Sequence, residues 1–261
     1  MDLEIRDKAA IVTGASRGIG RAIIEQLAKE GVRILLVARD STALEEAARQ
    51  ISDRYKVAIA IHVADLSQPG AAADVVDAAM AALGRIDILV NCAGATKRGD
   101  FFSLTDDDWV SGYALKFHGS VRMCRAAWPH LEKQNGSIIN IIGIGSRTPS
   151  ADFSIGGSVN SALVNFTKAL AELGRKRGVR VNAINPGYIE TDRLALRIDA
   201  IVAGGKKSRD EAISELLQTL GISRFGRPDE IGRLVAFLAS PVSDYIQGAT
   251  LDIDGGATKG I

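Results

Sequence analysis

The 261 residues predict an α/β fold: one doubly wound, seven-stranded parallel sheet with helices on both faces. Three observations lead there. Short β-rich runs alternate with longer segments of helical period from one end of the chain to the other. Most of the short runs are continuously apolar, as strands covered on both faces must be. Each helical stretch between them is long enough for a right-handed crossover to a parallel neighbour. In order, the strands fall at 9–13, 33–37, 57–63, 86–91, 137–142, 180–184 and 249–253. The helices fall at 18–30, 43–51, 71–83, 107–131, 157–175 and 229–239. No linker, repeat or charge run divides the chain, so 1–261 reads as a single domain. The exception to the regular alternation is a segment at about 190–221, with Gly204-Gly205-Lys206-Lys207 between two helix-like pieces, which reads as a mobile lid over a substrate.

Composition narrows the function. The chain is 46% hydrophobic and 24% charged, and 32 Lys+Arg against 31 Asp+Glu give a formal charge of +1, which removes a strongly basic surface and with it a nucleic-acid partner. Its 27 glycines are scattered among apolar segments without a triplet period and so read as turns. Cys92 and Cys124 are too few for a disulfide framework or a closed zinc site, and no metal is expected. The opening MDLEIRDKAA has no long apolar core, and no run approaches the roughly 18 residues that a membrane span needs. A cytoplasmic protein is the expectation.

The first strand leads into Thr13-Gly14-Ala15-Ser16-Arg17-Gly18-Ile19-Gly20, where a helix begins. Gly14 permits the tight turn, Gly18 lets the backbone approach a pyrophosphate, and Gly20 lets helix and strand pack closely. The helix N-terminus offers unpaired N–H groups to the anion. After the second strand, where a site specific for NAD places an acidic residue, the chain reads Val37-Ala38-Arg39-Asp40. Arg39 and Arg17 are suited to clamp a 2′-phosphate, which favours NADP(H) over NAD(H). Two solvated arginines, with Asp40 reaching the ribose, are the alternative.

These segments resemble the short-chain dehydrogenase/reductase family, in particular its compact members similar to 3-oxoacyl-[acyl-carrier-protein] reductases, and the resemblance runs over almost the whole chain. It is carried by TGASRGIG at 13–20, Asp65, Asn91-Cys92-Ala93-Gly94, Asn185-Pro186-Gly187-Tyr188-Ile189-Glu190-Thr191, Gly226-Arg227-Pro228-Asp229-Glu230 and Asp252-Ile253-Asp254-Gly255-Gly256. It implies a Rossmann domain in which Asp65 and Leu66 meet the adenine. Asn91, Ala93 and Gly94 would line the ribose, and Pro186, Gly187, Ile189 and Thr191 the nicotinamide. The plainer reading is that Asp65 caps a turn and Asn91 ties strands together.

At the chemical end the resemblance breaks. The family pattern implies a Tyr that exchanges a proton, a Lys four residues later, a Ser thirteen residues before the Tyr and an Asn on the preceding helix. In this register the Tyr position is Gly156, the Lys position Asn160, the Ser position Gly143 and the Asn position Lys116. Lys and Asn have changed places. Lys116 is then a candidate electrophile or proton donor, with Asn160 holding the ribose, and the plainer reading is a solvated or ion-paired lysine. Ser146 and Tyr188 are further catalytic candidates, against a turn hydroxyl and an apolar pocket wall. His118, two residues from Lys116, points elsewhere and suits packing or a subunit interface.

Lys97, Arg98, Arg147, Arg193, Arg197, Lys206 and Lys207 fall in loops that should rim the crevice, so the small-molecule substrate is expected to be anionic, unless these are solvated charges offset by Asp100, Asp152, Glu190 and Asp199. The leading reading is an NAD(P)(H)-dependent oxidoreductase acting on a carbonyl or alcohol through an atypical site. Two alternatives stand beside it: a redox-inactive cofactor-binding homologue serving as partner subunit or sensor, and a non-redox lyase or hydrolase on the same scaffold. By the resemblance, the helices carrying Lys116 and Asn160 form subunit faces and the end near Asp254 adds another, giving a homotetramer or a dimer.

Overall fold

The computed structural model describes residues 1–205 and 207–260. Its sheet contains β1 (Ala9–Thr13), β2 (Arg33–Ala38), β3 (Ile59–Val63), β4 (Ile88–Asn91), β5 (Ser137–Ile141), β6 (Arg180–Pro186) and β7 (Thr250–Ile253). All pairings are parallel, in the order β3-β2-β1-β4-β5-β6-β7. The order reverses between β1 and β4. Their registers, Val12 beside Val90 and Asn91 beside Asn140, bring the carboxyl ends of the central strands out along one edge, where an open α/β sheet has its crevice.

Side chains of β1 alternate between two cores. Ala10 and Val12 join the core beneath α1 (Gly18–Lys29), α2 (Ser41–Tyr55) and α9 (Pro228–Ala239), built around Ile23, Leu27, Ile51 and Val235. Ala9 and Ile11 join the opposite core beneath α3 (Ala71–Leu83) and α5 (Ser120–Lys133), built around Val75, Leu83, Met123 and Leu131. The edge strands β3 and β7 are only partly covered.

The structure departs from the sequence reading at two places that bear on the site. The single helix expected over 107–131 is α4 (Asp106–Tyr113), a π-helical segment at Ala114–Gly119, and α5. Hydrophobic spacing does not register the widening of one turn, and Lys116 lies within it. Helix α2 begins earlier than expected because Asp40 accepts from the Ala43 amide at 3.0 Å as its N-cap. The segment beyond β6 holds the two helical pieces that the sequence suggested, α7 (Asp192–Gly204) and α8 (Arg209–Leu220), with a small core of their own around Leu194, Ile198, Leu216 and Phe225. Ser208 and Glu211 close a capping box on α8. The remaining long helix, α6 (Ser154–Arg177), packs against β6 and the turn that follows β5, and carries Gly156 and Asn160.

Candidate functional site

The turn from β1 into α1 is shaped by backbone contacts that no side chain could share. A Cβ at Gly20 would lie 2.0 Å from the Gly14 carbonyl oxygen, and one at Gly14, whose φ is +68°, would lie 2.9 Å from Ala93 Cα. The Thr13 hydroxyl accepts from the amides of Cys92 and Ala93 at 3.0 and 3.1 Å, locking the ends of β1 and β4 together. Gly18, with φ +55°, meets only the Thr191 methyl at 3.4 Å on its Cβ side. Unlike α2, α4 and α8, helix α1 has no side-chain cap, and unlike α4 and α8 it has no acidic residue in its first turn, so the amides after Arg17 stay available to an anion. A phosphate group fits this cradle. Ser16 and Ile19 are half-buried within it and Arg17 is exposed on its rim.

Arg39 and Asp65 line a neighbouring cleft of about 620 Å³, together with Ser67, Gln68, Thr96 and Leu115. Asp65 accepts from the Ser67 amide at 3.0 Å. That bond, helped by Arg39, holds its carboxyl below the usual range, so Asp65 does cap the turn that it was expected to cap if it did not meet a ligand. Leu66 is buried. Neither Arg17 nor Arg39 has a carboxylate at ion-pair distance among the described residues. Asn91 is buried and donates to Asn140 Oδ1 at 2.9 Å, tying β4 to β5, while its own Oδ1 is buried without a partner. Across the crevice, Gly187 packs against Asp254, Ile189 and Pro186 are buried, and Thr191 Oγ1 donates to the Ile189 carbonyl at 3.3 Å.

The two exchanged residues touch. Lys116 Nζ donates to Asn160 Oδ1 at 2.6 Å and to the Ile142 carbonyl at 2.5 Å, at the carboxyl end of β5. Its stem crosses Gly94, where a Cβ would meet Lys116 Cδ at 2.9 Å. Burial of the ammonium, with the Arg193 charge adding to it, pushes the Lys116 pKa down to about 7. The solvated or ion-paired lysine is therefore not what is found. Asn160, itself buried, turns its Nδ2 toward the Gly143 carbonyl at 3.4 Å, so its carboxamide orients Lys116 and the β5 loop instead of reaching for a ribose.

The space left by Gly156 is filled. A Cβ there would lie 2.0 to 2.6 Å from ring atoms of Phe153, a residue that the sequence reading did not single out. The available signal was its place three residues before Gly156 at the start of α6, a spacing that puts an aromatic ring over the glycine. Gly143 has φ +135°, a backbone that disfavours the serine expected there, and a Cβ would approach Asn160 Nδ2 at 3.2 Å.

The other catalytic candidates are engaged elsewhere. Ser146 Oγ donates to the Gly143 carbonyl at 3.1 Å and forms the turn, and the Tyr188 hydroxyl accepts from Arg197 at 2.9 Å. His118 is exposed and stacks edge-on against Phe117. Much of the cationic rim is neutralised, since Lys97 pairs with Asp108, Arg98 with Asp152, Arg147 with Asp252 and Lys207 with Glu215. Lys206 lies outside the described residues. The expected offsetting of these charges holds for four of the seven cations, through Asp152 and three carboxylates not foreseen. No group of three or more His, Cys, Asp or Glu among the described residues is placed to hold a metal ion. No helix among them is long and apolar enough to cross a membrane.

The model of the family described as enoyl-(acyl carrier protein) reductase matches residues 14–258, from the glycine turn to the last strand's loop. The chain belongs to the short-chain dehydrogenase/reductase family. Among curated relatives of this family, the short-chain reductase protein NovJ of Streptomyces niveus is 37% identical over 259 residues, 96% of this chain and 94% of that one. L-Sorbose reductase from Gluconobacter frateurii, solved with NADPH and L-sorbose, superimposes with a TM-score of 0.96 at 32% identity over 100% of both chains. An NADPH-bound short-chain oxidoreductase from Pseudomonas aeruginosa PAO1, described as containing an atypical catalytic center, superimposes with a TM-score of 0.89 at 28% identity over 98% of both. The sheet and the glycine cradle of this chain are those of a short-chain dehydrogenase/reductase scaffold.

Proposed function

We propose that the chain is a nicotinamide-dependent oxidoreductase that interconverts a carbonyl and an alcohol on a small molecule, with the Lys116 ammonium as its proton-exchanging group. The observation that carries the reading is the pair of short hydrogen bonds that hold Lys116 Nζ between Asn160 and the Ile142 carbonyl, beside Gly94. The P. aeruginosa relative with an atypical centre supports it by likeness.

The cofactor fits the cradle. Gly14, Ser16, Arg17, Gly18, Ile19 and Gly20 would take its pyrophosphate, Arg39, Asp65 and Leu66 its adenosine end, the backbone from Asn91 through Gly94 its ribose, and Pro186 through Thr191 its nicotinamide. The unpaired guanidiniums of Arg17 and Arg39 favour NADP(H) over NAD(H). When bound, the nicotinamide gives or takes the hydride. Lys116 does the rest: in reduction the substrate oxygen takes a proton from Nζ, the neutral amine stays held by the Ile142 carbonyl, and solvent returns the proton. A pKa near 7 suits both directions. Helices α7 and α8 would form the lid. A reducing, cytoplasmic setting is consistent with the free thiols of Cys92 and Cys124. A tetramer, or else a dimer, is the assembly to test by light scattering.

The test is NADPH consumption over a carbonyl panel, followed as a function of pH. Lys116 loses its proton as pH rises through about 7, so carbonyl reduction should fall above that value and alcohol oxidation should rise. Lys116→Arg separates the two chemical roles, since arginine keeps the charge but does not release a proton. Equal turnover by Lys116→Met on the same substrate would falsify the reading.

A further inference from the structure

Along the rim that begins beside Lys116, aromatic rings and guanidiniums meet. The Phe153 ring that covers Gly156 is itself covered by Arg98, whose guanidinium carbon lies 3.9 Å from the ring centroid. Arg98 donates to Asp152 Oδ2 at 2.9 Å. From α7, Arg197 lies 4.8 Å from the centroid of Tyr188 and donates to its hydroxyl. The Ser150 hydroxyl first, and then Arg98 and Arg197, hold the Asp152 carboxyl below its usual range, so both arginines act on one acid.

Arg193 precedes Arg197 by four residues, one helical turn, and so shares its face of α7. It donates to the Gly94 carbonyl at 2.9 Å, the residue over which Lys116 passes. These contacts string a connected rim from Lys116 through Arg193 and Arg197 to Phe153. Among the described residues neither Arg193 nor Arg197 has a carboxylate at ion-pair distance, whereas Arg98, Lys97, Arg147 and Lys207 each do. Asp152 is exposed and is the one acid that Arg98 and Arg197 act on together. The rim therefore keeps an excess of positive charge on a fork-shaped donor suited to a planar oxyanion.

We propose that Arg197, assisted by Arg193 beside Lys116, anchors a carboxylate on the substrate, so that the chain acts on oxo acids and their hydroxy acids. This rests on the oxidoreductase reading above. Arg197 is then a specificity-determining residue, and Tyr188, through its ring and its hydroxyl, keeps it oriented until substrate arrives.

The experiment compares 2-oxobutanoate and 4-oxopentanoate with their methyl esters, as substrates with NADPH and as ligands by calorimetry on the NADPH-loaded and cofactor-free protein. For at least one pair the acid should exceed the ester about tenfold or more in kcat/KM, and Arg197→Met should remove the preference chiefly through KM, with Arg197→Lys in between. If no compound turns over but an acid binds and Arg197→Met abolishes that binding, the anchor stands and the oxidoreductase reading fails. If the esters react as well as the acids, or if neither acid binds or reacts, the anchor is wrong, and the oxidoreductase reading survives wherever an ester turns over.

Discussion

The turn at Gly14 to Gly20 and the pocket at Lys116 lie along the same edge of the sheet, yet they are made of different material. The turn is backbone: its shape follows from carbonyls and amides that approach to distances only glycine permits. The pocket is side chains: an ammonium, a carboxamide, a phenyl ring and a guanidinium, each held by another. A backbone site tolerates little change in its glycines, because any Cβ meets main chain that has nowhere to go. A side-chain site can be rebuilt if its members change together, and here Lys116 and Asn160 hold each other through one short hydrogen bond.

That contrast can be broken most sharply at Lys116. Lys116→Met should lower turnover by roughly 10² to 10⁴, the range for losing a proton-transfer group, while the dissociation constant for NADPH, read by fluorescence titration, changes by less than about threefold. A comparable loss of cofactor binding would show that the two regions are not separate. The reverse experiment is Gly20→Ala. Its methyl would collide with the Gly14 carbonyl, so we expect a destabilisation on the order of 2–4 kcal/mol by urea denaturation and cofactor binding lost with it, because α1 must move off β1.

A smaller effect sharpens the account of the pocket. Restoring the usual pair with Gly156→Tyr and Asn160→Lys should not rescue the family's ordinary chemistry. The Phe153 ring occupies the tyrosine's path, and the new lysine would face Lys116 in place of its acceptor. Destabilisation of about 1–3 kcal/mol from overpacking is expected, relieved in part by adding Phe153→Ala. Smallest is Arg39→Asp, which should shift the preference between NADPH and NADH by about tenfold toward NADH without altering the pH profile of Lys116.

Lys116 also couples the pocket to stability. Its pKa is lower in the folded chain than in the unfolded one, so between about pH 7 and 10 the unfolded chain binds more protons. The folded state therefore carries the full penalty below pH 7 and sheds it as pH rises. Thermal melts should show wild type gaining stability relative to Lys116→Met across that window, and parallel curves would place the ammonium in water.

The seven strands, the parallel sheet with helices on both faces and the glycine turn were readable in the sequence because apolar runs and glycine spacing report main-chain geometry directly. The exchange of Lys116 and Asn160 was readable by position, but not their contact, which depends on a π-helical turn that changes no hydrophobic period. Phe153 escaped because an aromatic residue near a glycine has many possible neighbours, and only the fold brings its ring over that one. The cationic rim was overestimated for the opposite reason. Sequence counts charges, while pairs such as Lys97 with Asp108 and Arg147 with Asp252 form across loops that a linear reading cannot bring together.

The ring above Gly156 also bears on the history open to this protein. A return to a tyrosine route would need that ring removed, a phenol installed, a lysine introduced on α6 and Lys116 withdrawn. Each intermediate would be overcrowded, doubly charged or without a proton donor. Descendants can vary around the new arrangement far more easily than they can walk back, so the pocket behaves as a ratchet.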